Sequence, residues 1–202
     1  MRNWLTFFVV LLLVLLVSAC GRSDYNPLPA DATILAFGDS LTAGVGTAVE
    51  QSYPSVLAQL SGRNVINAGV SGETTSQGLQ RFSKLLDQHS PHLIILLEGG
   101  NDILRNQTFA STKSNLATMI SEARTRQIPV LLLGVPEKNL FSSSAAVYSE
   151  LAEEHDVMFI KSLVSDLLRT SRYKSDPVHL NAEGYRAMAE DIFDFLNEKG
   201  LL

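Results

Sequence analysis

Five short apolar runs punctuate the chain, and between them apolar residues recur at helical spacing. Thr33-Ile34-Leu35-Ala36-Phe37, closed by Gly38, does not alternate with polar residues, as expected of a strand covered on both faces. Val65-Ile66-Asn67 is a weaker second run, Leu93 to Leu97 the clearest, and Pro129 to Gly134 and Val157 to Ile160 the last two. Tyr53, Val56, Leu57 and Leu60 predict a helix that stops at Gly62, and Leu79, Phe82, Leu85 and Leu86 one that ends before Ser90-Pro91. Leu116, Met119, Ile120 and Ala123 mark a third helix, and residues 145–155 a fourth. The last runs through Tyr185, Met188, Ala189, Ile192, Phe195 and Leu196, with Asn181 placed to cap it. Five strands interleaved with helices imply an α/β fold, a parallel five-stranded sheet between two helical layers. In such sheets ligands bind beyond the carboxyl ends of the strands.

The first thirty residues do not share this pattern. Arg2 supplies a positive start and residues 7–17 are unbroken apolar. A membrane-spanning helix needs about 20 apolar residues, so this run has the length of a signal-peptide core. Val17-Ser18-Ala19 then precede Cys20, the single cysteine of the chain. The segment resembles a bacterial lipobox, in which cleavage exposes the cysteine and its thiol takes up diacylglycerol; a thiolate is a good nucleophile for that alkylation. The resemblance implies a lipid-anchored protein of the cell envelope. With Gly21 and not aspartate after the cysteine, it implies sorting to the outer membrane, facing the periplasm. Residues 1–19 are thus expected to be the signal peptide, 20–30 a lipidated tether and 31–202 the folded domain.

Charge narrows the partners. The 202 residues carry a formal charge of -5, and loss of Arg2 leaves 15 basic against 21 acidic residues. An acidic chain without a basic stripe is not a nucleic-acid binder. A monomer is expected.

Three loops that leave predicted strands are rich in small polar residues: 37–44, with Gly38-Asp39-Ser40; 67–74, with Ser71-Gly72-Glu73-Thr74; and 98–102, with Gly99-Gly100-Asn101-Asp102. All would emerge at one edge of the sheet. Asp176 and His179 stand three residues apart just before the last helix. These blocks, in this order over nearly the whole chain after the signal, resemble the GDSL, or SGNH, hydrolase family. Within it they are most similar to the thioesterase I and arylesterase branch. The resemblance implies a flavodoxin-like three-layer fold and an ester or thioester hydrolase. Ser40 matches the nucleophile, Asp176 and His179 the acid–base pair, and Gly72 and Asn101, with the Ser40 N–H, the oxyanion donors.

The residue chemistry agrees with that reading. A serine hydroxyl needs a base within hydrogen-bond reach. Of four histidines, His89, His92 and His155 fall at the opposite edge of the sheet, which leaves His179. Asp176 would fix its tautomer, and Pro177 stiffens the turn between them. His179 must be neutral to act, so activity should fall on acidification. Asp39 and Asp102 read as loop-binding carboxylates, Gly99 and Gly100 as turn formers, and Glu98 has no evident role. No cofactor or metal is implied. A metal-dependent phosphoesterase would need several histidines near these loops, and only His179 is available. An envelope carbohydrate O-acetylesterase and a non-catalytic binding lipoprotein remain as alternatives. Leu104, Phe109, Leu140 and Phe141 either line an acyl pocket or pack beneath loops.

Overall fold

The computed structural model describes residues 25–138 and 143–202. The signal segment, Cys20, Leu140 and Phe141 lie outside the described residues. Strands β1 (Thr33–Gly38), β2 (Asn64–Gly69), β3 (Leu93–Leu97), β4 (Val130–Leu133) and β5 (Met158–Ile160) form one parallel sheet in the order β2-β1-β3-β4-β5. The helices are α1 (Ser40–Ala43), α2 (Tyr53–Ser61), α3 (Thr75–His89), α4 (Gly100–Leu104), α5 (Phe109–Thr125), α6 (Ala146–His155), α7 (Leu163–Arg169) and α8 (Ala182–Glu198). Helices α3, α5 and α6 pack together on one face; α2, α7 and α8 lie on the other.

Burial follows the apolar runs. Residues 34–37, 93–97 and 130–133 are buried throughout, because central strands of a parallel sheet are covered by helices on both sides. The second strand, weak in sequence, is an edge strand with one buried residue, Ala68. Its free edge tolerates Asn64 and Asn67. Helix ends obey local chemistry: Thr74 and Gln77 form a capping box at α3, and Asn181 Oδ1 accepts from Gly184 N (3.0 Å) to cap α8.

The strand order reverses beside β1, so the connections after β1 and β3 leave the sheet in opposite directions and open a crevice at their carboxyl ends. The crevice walls are stitched together by backbone. Asp39 N donates to Leu97 O (3.3 Å) and Val70 N to Gly38 O (2.9 Å).

At the amino-terminal side the packed domain starts earlier than the Asp31 boundary expected from sequence. Leu28 is buried, its N–H donates to Leu201 O (2.8 Å), and the Arg63 guanidinium donates to Leu28 O (3.4 Å). Pro27 and Pro29 gave this segment a linker's composition, but Leu28 supplies the apolar side chain that docks it.

Candidate active site

Ser40 is the first residue of α1, directly beyond β1, and Asp39 caps that short helix through Leu41 N (3.1 Å). His179 lies 139 residues further on, in the turn that leads into α8. Its Nε2 is 3.0 Å from Ser40 Oγ, and its Nδ1 is 2.7 Å from Asp176 Oδ2. The other oxygen of Asp176 accepts from Val178 N and His179 N, both at 2.9 Å. One carboxylate thus folds the turn and orients the ring, which offsets the looseness expected of two partners so close in sequence. Burial works against its charge, but the Val178 N–H, the His179 ring and the His179 N–H outweigh it and hold the carboxyl below its usual value. An ionised carboxylate only accepts, so Nδ1 carries the proton and Nε2 is left to accept from the serine hydroxyl.

Two contacts fix the histidine turn against the serine loop. Tyr185 Oη donates from α8 to Val45 O (2.8 Å). Gly46, at φ +99°, lets the chains touch: a Cβ there would lie 2.3 Å from Ser175 Oγ and 2.5 Å from Leu180 O.

Ser40, Gly72, Asn101 and His179 line one cavity of 360 Å³ at the carboxyl edge of the sheet. Gly72 has φ +79°, and its carbonyl accepts from Arg105 Nη2 (2.9 Å). Asn101, in the first turn of α4, donates through Nδ2 to Glu73 O (2.8 Å), and the same nitrogen lies 3.4 Å from Asp39 Oδ2. The first N–H groups of a helix have no intrahelical partner, and the Ser40 N–H is one of these. Apart from these groups the cavity wall is mostly apolar, with Leu41, Ile103, Leu104, Val135, Val164 and Leu168.

The sequence profile of the GDSL-like lipase/acylhydrolase family matches residues 36–187. The chain belongs to this family. It is 29% identical over 188 residues to Thioesterase 1/protease 1/lysophospholipase L1 of Escherichia coli (strain K12), covering 89% of this chain and 86% of that protein. It is 31% identical over 172 residues to an arylesterase of Vibrio mimicus, covering 80% and 86%. Among solved structures, the SGNH-hydrolase family esterase AlinE4 superposes with a TM-score of 0.65 at 35% identity, over 83% of this chain and 94% of that one. The fold read from sequence is therefore correct, and the chain is an ester-hydrolysing serine hydrolase.

Behind the cavity this GDSL-family hydrolase buries four carboxyl groups. Asp102 is fully paired, accepting from Thr75 N (2.8 Å) and Thr75 Oγ1 (2.6 Å), and Glu73 forms an ion pair with Arg81, whose guanidinium lies 4.1 Å from the centre of the Phe37 ring. As the sequence suggested, Asp39 and Asp102 bind loop backbone. Burial pushes Asp39 up to about 6, against the opposing pull of the Leu41 N–H. Glu98 is the group that sequence reasoning left without a role. It is wholly buried, Oε2 accepts from Gly99 N (3.1 Å), and Oε1 has no partner among the described residues. Burial first, then Asp39 and Glu73 nearby, push it up to about 10. Glu98 is thus a neutral acid at neutral pH, held so by its burial and by the carboxyl groups around it. Gly99 beside it has φ +106° and no room for a side chain: a Cβ would sit 2.4 Å from Tyr148 Oη, which donates to Glu98 O (2.7 Å).

A stability prediction follows from that proton. The unfolded chain releases it near the ordinary value of 4.5 and the folded one only near 10. Between these limits the unfolded state binds fewer protons, so Glu98 lowers stability progressively as pH rises. Glu98→Gln, which keeps the shape of the side chain without an ionisable proton, is expected to raise the melting temperature by about 5 °C or more at pH 8. The gain should shrink towards pH 5. Thermal melts across that range check it, and an equal shift at both ends would mean that the folded protein holds Glu98 ionised.

Of the four pocket candidates read from sequence, Leu104 lines the cavity that holds Ser40 and His179. Phe109 lies instead on a separate shallow depression beside Ile103. Val164 and Leu168 come from α7, a helix the sequence reading missed although Leu163, Val164, Leu167 and Leu168 carry its spacing. Among the described residues, no group of three or more His, Cys, Asp or Glu side chains could hold a metal ion.

Proposed function

We propose that the chain hydrolyses carboxylic esters and thioesters of apolar acyl groups through an acyl-enzyme on Ser40. The observation that carries this reading is the unbroken relay from Asp176 Oδ2 through His179 to Ser40 Oγ, at 2.7 and 3.0 Å. Ser40 Oγ attacks the carbonyl carbon as His179 Nε2 takes its proton, giving a tetrahedral oxyanion. Donors to that oxyanion are the N–H groups of Ser40 and Gly72 and the Asn101 amide. The carbon–leaving-group bond then breaks, and His179 returns the proton to the departing alcohol or thiol. Water, deprotonated by the same nitrogen, attacks the acyl-enzyme; release of the acid restores the serine.

Lining by Leu41, Ile103, Leu104, Val164 and Leu168 supports an acyl chain as the recognised part. Each methylene buried there contributes about 0.8 kcal/mol, or about fourfold in kcat/KM. With p-nitrophenyl esters, kcat/KM is expected to rise at about this rate from acetate through butyrate to hexanoate and then level as the cavity fills. A fall beyond acetate would favour acetyl-ester substrates such as acetylated glycans. A companion series of thioesters and lysophospholipids ranks the leaving groups.

We further propose that residues 1–19 are removed and that Cys20 carries the lipid anchor in the cell envelope, at the outer membrane. The small residues before the cysteine support this, and no helix among the described residues is long and apolar enough to cross a membrane.

A further inference from the structure

The entry of the chain into the fold and the catalytic mouth lie at opposite edges of the sheet. Tyr25 and Leu28 border the same shallow depression as His92, Pro129 and Val157, which immediately precede β3, β4 and β5. Leu28 is fastened there by Leu201 and Arg63. Ser40, Gly72 and Asn101 all lie beyond the other ends of β1, β2 and β3. β1 alone spans six residues, about 20 Å of strand.

Chain length then limits what the anchor allows. Eight residue steps separate Cys20 from the docked Leu28, and whatever path they take they reach at most about 28 Å. A domain of about 180 residues is about 40 Å across, so the path over its surface from one pole to the other is about 60 Å. The domain can roll on such a tether, but the tether cannot wrap far enough to bring the mouth onto the bilayer.

We infer that the Cys20 anchor holds the catalytic mouth away from the bilayer it enters, so that the enzyme acts on acyl esters that reach it through the aqueous phase and not on lipids of its own membrane. This rests on the anchor and the serine chemistry proposed above. It gives the apolar cavity a substrate class: amphiphilic or soluble esters, such as monomeric lyso-lipids or acyl thioesters, presented across the gap.

The test uses the lipidated protein in phosphatidylethanolamine/phosphatidylglycerol vesicles, with a fluorophosphonate dye on Ser40 and an energy-transfer acceptor on lipid headgroups. The dye and acceptor are a short-range pair, so weak transfer is expected at the separation of about 30–40 Å. A Gly/Ser insertion of about 20 residues between Asp24 and Tyr25, which adds up to about 66 Å of reach, should at least double the transfer. It should also raise hydrolysis of a p-nitrophenyl ester held in the same bilayer, while the rate on a water-soluble ester stays unchanged. Strong transfer in the unextended protein, unaltered by the insertion, overturns the inference. Failure to float with vesicles, with Cys20→Ala behaving identically, points instead to the anchor, and failure of the dye to react points to Ser40.

Discussion

Ser40→Ala is expected to lower kcat on a short p-nitrophenyl ester by about 10⁴-fold or more, the scale on which triad members act as a unit. The melting temperature should stay within about 2 °C of wild type, as befits a substitution outside the packed core. Among the described residues its hydroxyl makes one side-chain hydrogen bond, to His179 Nε2 at 3.0 Å. The cap on α1 belongs to Asp39, and the turn of His179 is held by Asp176 and by Ser175 N, which donates to His179 O (3.1 Å). Nothing that folds the loop is therefore lost with the hydroxyl. Any residual rate above water would come from the oxyanion donors and from binding alone. Retention of more than a few per cent of the wild-type rate, in protein shown free of contaminating esterase, would transfer the nucleophile's role to another group.

Much of this arrangement was legible in the sequence, for a physical reason. Central parallel strands are buried on both faces, so 33–37 and 93–97 stand out as apolar runs wherever they occur. The loops that follow must turn sharply and offer backbone to a ligand, so they carry Gly, Ser and Asn. Edge strand β2 gave a weaker signal because solvent accepts its polar residues. Helices α1 and α4 were missed because four or five residues hold too little periodicity. Docking of Leu28 was hidden by the prolines around it. Glu98 was the deepest miss. A glutamate inside a run of leucines and glycines has the same letter whether charged or neutral, and only its burial beside Glu73 and Asp39 decides. Membership of the acylhydrolase family fixes the class of reaction; the geometry adds which atoms meet.

Asn101→Ala is the variant expected to separate transition-state binding from substrate binding. Its Nδ2 is pinned by Glu73 O at 2.8 Å, which turns the amide edge toward the cavity and leaves its second N–H near Asp39 Oδ2 at 3.4 Å. That second contact is long for a hydrogen bond. A developing oxyanion, fully charged and closer, would capture the N–H in its place. The interaction therefore strengthens only as the tetrahedral state forms, and its loss should appear in kcat with KM little changed. Removing one such donor costs about 2.7–4 kcal/mol, so kcat should fall about 10²–10³-fold. Asp39 titrates near 6, and its ionised form competes more strongly for the same N–H, so the cost of Asn101→Ala should be greater below pH 6 than above it. Steady-state kinetics of both proteins from pH 5 to 8, taken as the ratio of the two at each pH, measures the effect. A rise in KM with kcat intact would place Asn101 in ground-state binding and take it out of the oxyanion site.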